Sequence, residues 1–174
     1  MDESVQQQLD CFRNHWLYPH FETHLRGGVF HSTRLENLQA ILKDGIILPS
    51  RRGRNFTYPQ TANSYALYHG YVSLLDFRRS PLEIGQTFWR WDSFVISSKP
   101  VILIQLDPVF IDEQIIRHED FDYDRDKTEK GHILARIPYV EAWYPDEIPL
   151  THAIAFFYVG NQPETFRKIQ PDDF

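Results

Sequence analysis

Apolar positions along this chain fall into short runs, with one clear helical stripe among them. Leu35, Leu38, Ile41 and Leu42 repeat at helical spacing, which predicts an amphipathic helix stopped by Gly45. Thr33, followed three residues later by Glu36, has the form of a capping box and is expected to open that helix. Before it, Val29-Phe30-His31 reads as a short strand set off by Gly27-Gly28. The Tyr18-Pro19 step is expected to interrupt any helix in the His-rich, aromatic stretch that ends near Arg26.

Further on, Ile46-Ile47-Leu48 predicts a short strand, residues 49–54 a loop, and Asn63 to Tyr68 a helical turn. Tyr71 to Phe77 is strand-like in its β-branched and aromatic content, and Arg78-Arg79-Ser80-Pro81 breaks the run. Val101 to Leu106 is the most hydrophobic stretch and predicts a central strand. The charged segment HEDFDYDRDKTEK, 118–130, predicts a solvated loop. Tyr139 to Tyr144 and Ala153 to Val159 predict two strands paired with each other across turns at Pro145-Asp146 and Pro149. Strands outnumber helices and do not alternate with them as βαβ units require, so the class is expected to be α+β and mostly antiparallel. No repeat appears in the 174 residues, so one domain is expected, with residues 1–26 as an N-terminal extension packed on it.

Composition narrows the function classes. With 42% apolar and 24% charged residues the chain can build its own core without a disulfide or metal clip. Its formal charge of −6 offers no global positive field, so contact with nucleic acid must be local. A single cysteine, Cys11, rules out an internal disulfide and a Cys-based zinc cluster and fits a reducing compartment. The acidic, polar start and the lack of an 18-residue apolar run point to a cytoplasmic protein with no membrane partner. No metal is expected: His15, His20 and His24 straddle a proline without a zinc pattern, and the acidic run from Glu119 to Asp126 lacks calcium-loop spacing.

Phosphate-loop, dinucleotide-fold, zincin and nucleophile-elbow motifs are all missing. Two positions stand out instead. His31 lies at a strand end just before the expected helix, where imidazole, hydroxyl and free helix N–H groups can face a polar ligand together; the alternative is a plain cap beside a satisfied histidine. Glu141 sits inside the apolar run Val140-Glu141-Ala142-Trp143-Tyr144, where a carboxylate is costly unless it has a partner or a task; the alternative is a strand face turned to water.

The order of these blocks resembles one family. FHSTRLENLQAILKDGIIL resembles the opening of the DNA ADP-ribosyltransferase toxins, where an H-x-T strand end leads into an N-L-x-x-I-L-x-x-G helix. YVSLLDFRRSP matches that family's Y-V-P-F-Y-F-x-x-R-S-P strand at Tyr71, Val72, Arg79, Ser80 and Pro81, with Ser73 where proline is common. VILIQLDPVFI is similar to the hydrophobic strand that follows. VEAWYPDEIP is similar to the E-V-L-V-P-D-x-I-P segment that carries the catalytic glutamate.

The resemblance implies a split β-sandwich of two small, mostly antiparallel sheets with flanking helices, and NAD as co-substrate in the cleft between them. By motif match Glu141 is catalytic, His31 and Thr33 are NAD-binding positions and Tyr71 is a candidate for the nicotinamide wall; Ser32 and Ser73, beside them in the same segments, are taken as cofactor-binding too. NAD's diphosphate needs cations, and the cluster Arg51, Arg52 and Arg54 can supply them: Arg51 is assigned to catalysis and Arg54 to NAD binding, the alternative being a solvated loop. The function implied is mono-ADP-ribosylation of a macromolecule, with nucleic acid (DNA or RNA) as leading acceptor, by a toxin or phage-defence effector that an antitoxin or immunity protein would restrain. NAD hydrolysis, protein modification and a silent binding module are the competing readings. Arg78, Arg79 and Arg90, with Trp89 and Trp91 as stacking surfaces, form a candidate patch for single strands; core packing is the alternative for the tryptophans.

Overall fold

Val29–Arg34 (β1) runs through the middle of a six-stranded sheet. The structure, a computed structural model, describes residues 2–49, 64–122, 125–128 and 131–173. On one side β1 pairs with Val101–Leu106 (β4) through six residue pairs, and on the other with Val72–Asp76 (β3) through only two. Glu141–Tyr144 (β5) extends β3 outward, while Ala153–Val159 (β7) and Arg167–Ile169 (β8) extend β4, giving the order β5-β3-β1-β4-β7-β8. Ile46–Ile47 (β2) and Ile148–Pro149 (β6) form a separate two-stranded sheet. All these ladders are antiparallel, so the class is α+β as the sequence predicts.

Alternation along the strands sends Phe30, Leu75, Leu103 and Phe157 to one face, and Val29, Leu74, Ile102 and Ile104 to the other; each set joins its own core. Glu3–Asn14 (α1), Leu17–His20 (α2, continued by a π-turn over Phe21–Leu25), Pro81–Gln86 (α5) and Phe88–Trp91 (α6) cover the first face. There Trp91 meets Phe77, Phe88 and Phe12 at centroid distances of 4.9, 5.1 and 5.6 Å, each edge to face. Burying one such ring contributes about 1.5–3 kcal/mol, which binds α6 firmly to the sheet. Leu35–Asp44 (α3), the small sheet and Pro108–Ile111 (α7) cover the second face through Leu38, Ile47, Ile148 and Ile111. Tyr65–His69 (α4) packs with Phe121, Leu134 and Trp143 in a third cluster. No helix among the described residues is long and apolar enough to cross a membrane.

Four expectations need correction. Thr33 does not cap α3: it is held in the ladder opposite Ile102, is 2% exposed, and the cap position falls to Arg34, whose side chain does not cap the helix. Glu36 pairs with Lys99 at 3.0 Å instead. Pro19 does not stop its helix, because it sits in the first turn, where the N–H it lacks would have no helical partner anyway. The strands at Tyr139–Tyr144 and Ala153–Val159 are not partners: β6 intervenes to pair with β2, so β5 joins β3 and β7 joins β4 and β8. In the expected solvated loop, Asp126 is 2% exposed and accepts the Asp122 N–H at 2.7 Å and the Arg125 guanidinium at 2.9 Å.

Candidate active site

Glu141 begins β5 directly after a strained turn. Tyr139 has φ 64°, a left-handed conformation that costs a non-glycine residue on the order of 1–2 kcal/mol. The Val140 N–H donates to the Pro138 carbonyl at 2.7 Å, and the Glu141 N–H donates to the Ile137 carbonyl at 3.1 Å, so the chain reverses within these few residues. The Glu141 side chain then folds back across the turn. Its Oε2 accepts the Ile137 N–H at 2.8 Å; its Oε1 accepts the Ser73 hydroxyl and the Trp143 indole N–H, each at 3.1 Å. The residue is 6% exposed, and every position of β5 is buried, so the strand turns no face to water here. Burial pushes the carboxyl above the usual glutamate range, against the Ile137, Trp143 and Ser73 donors and the more distant charge of Arg136.

The bonds of Glu141 leave a specific vacancy in its hydrogen-bonding capacity. A carboxylate oxygen has two lone-pair sites. Among the described residues, Oε1 uses both on Ser73 and Trp143, whereas Oε2 meets the Ile137 N–H alone. By that count Oε2 retains the capacity to accept one more donor.

The shortness of the β1–β3 ladder places His31. The ladder holds Val29 and Phe30 against Asp76 and Leu75, and β1 then runs on to Arg34 without a β3 partner. Across this gap His31 Nδ1 lies 3.1 Å from the Ser73 carbonyl. A carbonyl only accepts, so Nδ1 carries the proton and Nε2 presents a lone pair. Burial holds the imidazole below its ordinary pKa, partly opposed by the Ser73 bond, which favours this neutral form at pH 7. Ser73 therefore joins the two: its hydroxyl serves Glu141 and its carbonyl serves His31. They reach it from opposite sides, since Glu141 shares a face with Leu75 and Phe30 while His31 follows Phe30 on the other face.

The other expected site residues divide clearly. Ser32 lies on the Glu141 face and donates its hydroxyl to the Phe94 carbonyl. Thr33 is buried on the opposite face, away from Glu141. Tyr71 stacks on His69 at 5.3 Å and 16°, and Tyr65 links that pair to the Trp143 ring at 4.2 Å, so Tyr71 backs the site through an aromatic layer. Arg51, Arg52 and Arg54, with the loop expected around them, lie outside the described residues. Within the candidate single-strand patch, Trp91 is core, Arg78 is bound by Asp76 and Asp112, and Arg79 by Glu119; Trp89 and Arg90 are exposed.

Trp143, the Ile137 amide, the Tyr139 turn and the layer of Tyr65 and His69 were not anticipated as site elements. Trp143 alone left a usable signal, because it lies two residues beyond Glu141 and so on the same face of a strand. A backbone amide and a positive φ at tyrosine leave none. Comparison with family models, with curated proteins and with solved structures finds no match to this chain.

Proposed function

We propose that this protein is an NAD-dependent ADP-ribosyltransferase with the split β-sandwich architecture of that superfamily, modifying nucleic acid in the cytoplasm as a toxin or phage-defence effector. The supporting observation is Glu141: a carboxylate out of water, fixed by three neutral donors, with the capacity to accept one more. When the bond between nicotinamide and ribose breaks, its electron pair leaves with nicotinamide and positive charge builds on the ribosyl carbon and ring oxygen. A preorganised anion in a low-dielectric site stabilises that charge without reorganising water, and such groups supply about 3 kcal/mol or more. The remaining acceptor capacity of Oε2 suits a ribose hydroxyl, whereas His31 lies on the other face of the sheet and touches this carboxylate's site through the Ser73 carbonyl. The early parting of β1 from β3 supports a split sheet. Arg54 remains a proposed NAD-binding residue and Arg51 a proposed catalytic one, from the cluster that can supply cations to the diphosphate. An antitoxin or immunity protein is the proposed restraint on such an activity.

Labelled NAD tests the reading. Purified protein incubated with separate DNA, RNA and protein pools is expected to release nicotinamide and leave label in a nucleic-acid pool. Glu141→Gln is expected to abolish both while the melting curve stays cooperative. Nicotinamide release that survives this substitution, or none from the folded parent, would refute the proposal; release without label in any pool would replace it by NAD hydrolysis.

A further inference from the structure

Trp89 is 58% exposed and stands between two clefts. Its neighbour in sequence, Arg90, is also exposed and makes no side-chain hydrogen bond or ion pair among the described residues. The cleft on one side, 580 Å³, is lined in part by the carboxylates of Glu3 and Asp10. The other, 370 Å³, has no carboxylate among its described lining residues and gathers Gln8, Gln86, Trp89, Arg90, His118 and Tyr139. Of the two linings, the second, with Arg90 and no described carboxylate, is the one that suits an anionic ligand.

We propose that this 370 Å³ cleft binds an unpaired base of a single-stranded nucleic acid, with the Trp89 indole as its stacking surface and Arg90 at the adjoining phosphate. An exposed indole offers a flat π-face that any base can stack on, and a guanidinium beside it meets the backbone charge. The Gln8 and Gln86 amides each offer both donors and an acceptor, the groups that read a base edge. The position fits an acceptor: Pro138 and Tyr139 wall the cleft, and they form the turn across which the Glu141 carboxylate folds back to the Ile137 N–H. This inference rests on the transferase reading in making the bound strand the acceptor. Because one indole and one arginine carry it in an acidic chain, the affinity is expected to be modest and sensitive to salt.

The test measures binding without NAD, so that it does not depend on turnover. Fluorescence anisotropy with labelled single-stranded DNA and RNA oligomers of roughly 12 nucleotides is run on the parent, Trp89→Ala, Trp89→Phe, Arg90→Glu and, outside the cleft, Val109→Ala. Trp89→Ala is expected to weaken binding at least about tenfold and Trp89→Phe much less, as removal of a stacking surface predicts. Arg90→Glu is expected to weaken binding and flatten its salt dependence; Val109→Ala is expected to change neither. The DNA and RNA arms decide which nucleic acid is preferred. Parental affinity in Trp89→Ala, or no binding of either strand by the parent, overturns the proposal. So does a Trp89-dependent complex with a protein in place of the oligomers. Trp89-dependent binding by a protein that releases no nicotinamide upholds the cleft and removes the transferase reading instead.

Discussion

Asp76 and Glu141 are both buried carboxylates on neighbouring strands, yet the protein holds them in opposite ways. Asp76, at the end of β3, is 2% exposed and accepts the Arg78 guanidinium at 2.8 and 2.7 Å, with Arg117 at 3.7 Å. Burial alone would raise its pKa; the Arg78 bonds more than offset this and leave it below the ordinary aspartate range. Glu141 receives, among the described residues, a hydroxyl, an indole N–H and an amide, and burial prevails. Arg136, the cation that acts on it from further away, stacks 3.7 Å over the Phe121 ring. The charge of Asp76 is already neutralised, so its work is structural. That of Glu141 is held by neutral donors, the arrangement that the proposed transferase would require of a group stabilising a cation that arrives with its substrate.

Two substitutions separate these roles most sharply. Glu141→Gln keeps the side chain's size but turns an amide NH2 toward one of the donors the carboxylate accepts, so it is expected to lower nicotinamide release by about 10³-fold or more, on the order of 4 kcal/mol in the barrier, and to cost about 1–2 kcal/mol of stability. Asp76→Ala is expected to do the reverse. It leaves Arg78 without its main partner and should cost about 3 kcal/mol in denaturant melts, while the protein that remains folded keeps its rate. The stability due to Asp76 is present above the unfolded carboxyl pKa of about 3.9 and is lost as pH falls through the lower folded value. A Glu141 variant that unfolds, or an Asp76 variant that is stable but inactive, would erase the distinction.

How far this contrast was legible in the sequence depends on the range of the interaction involved. The stripe of α3 with its Gly45 stop, and the apolar run of β4, are local patterns and read correctly. The motif at Thr33 and Glu36 has the same spacing as that at Ser80 and Glu83, but only the second is a capping box. Pairing with β4 claims Thr33 for the sheet, whereas Ser80 is exposed and followed by Pro81 at the helix start, so what looked like a break opens α5. The cost of Glu141 in an apolar run was visible, and so was Ser73 as a position of interest. Their hydrogen bond spans 68 residues of chain and was invisible until β5 was found beside β3. Asp76 gave no warning, since its cations come from the following turn and from Arg117 on another segment.

Ser73→Ala gives a smaller and more informative effect. The lost hydroxyl is a donor that favours the ionised carboxylate, so its removal raises the Glu141 pKa further and moves the acid limb of the pH–rate profile upward. At neutral pH the rate is expected to fall about ten- to thirtyfold, roughly 1–2 kcal/mol, and to recover in part as pH rises. An acid limb that stays in place or moves down would mean that Ser73 does not hold the carboxylate.

Tyr139 carries the smallest expected effect, and it tests whether strain belongs to the Glu141 side of the comparison. Asp76 lies in a relaxed segment where the Arg78 N–H donates to its own carboxylate at 3.1 Å, while Glu141 follows a residue at φ 64°. Glycine occupies that region freely and a β-branched residue does so worst. Tyr139→Gly should therefore change stability by less than about 1 kcal/mol despite losing the ring that packs 5.2 Å from His118, and Tyr139→Val should cost about 2 kcal/mol. The rates should not follow the stabilities. A glycine turn orients the Glu141 carboxylate less firmly, so Tyr139→Gly is expected to lose severalfold in nicotinamide release while melting close to the parent. If valine is tolerated as well as glycine, the turn relaxes without its left-handed residue, and the strain has no part in setting the carboxylate.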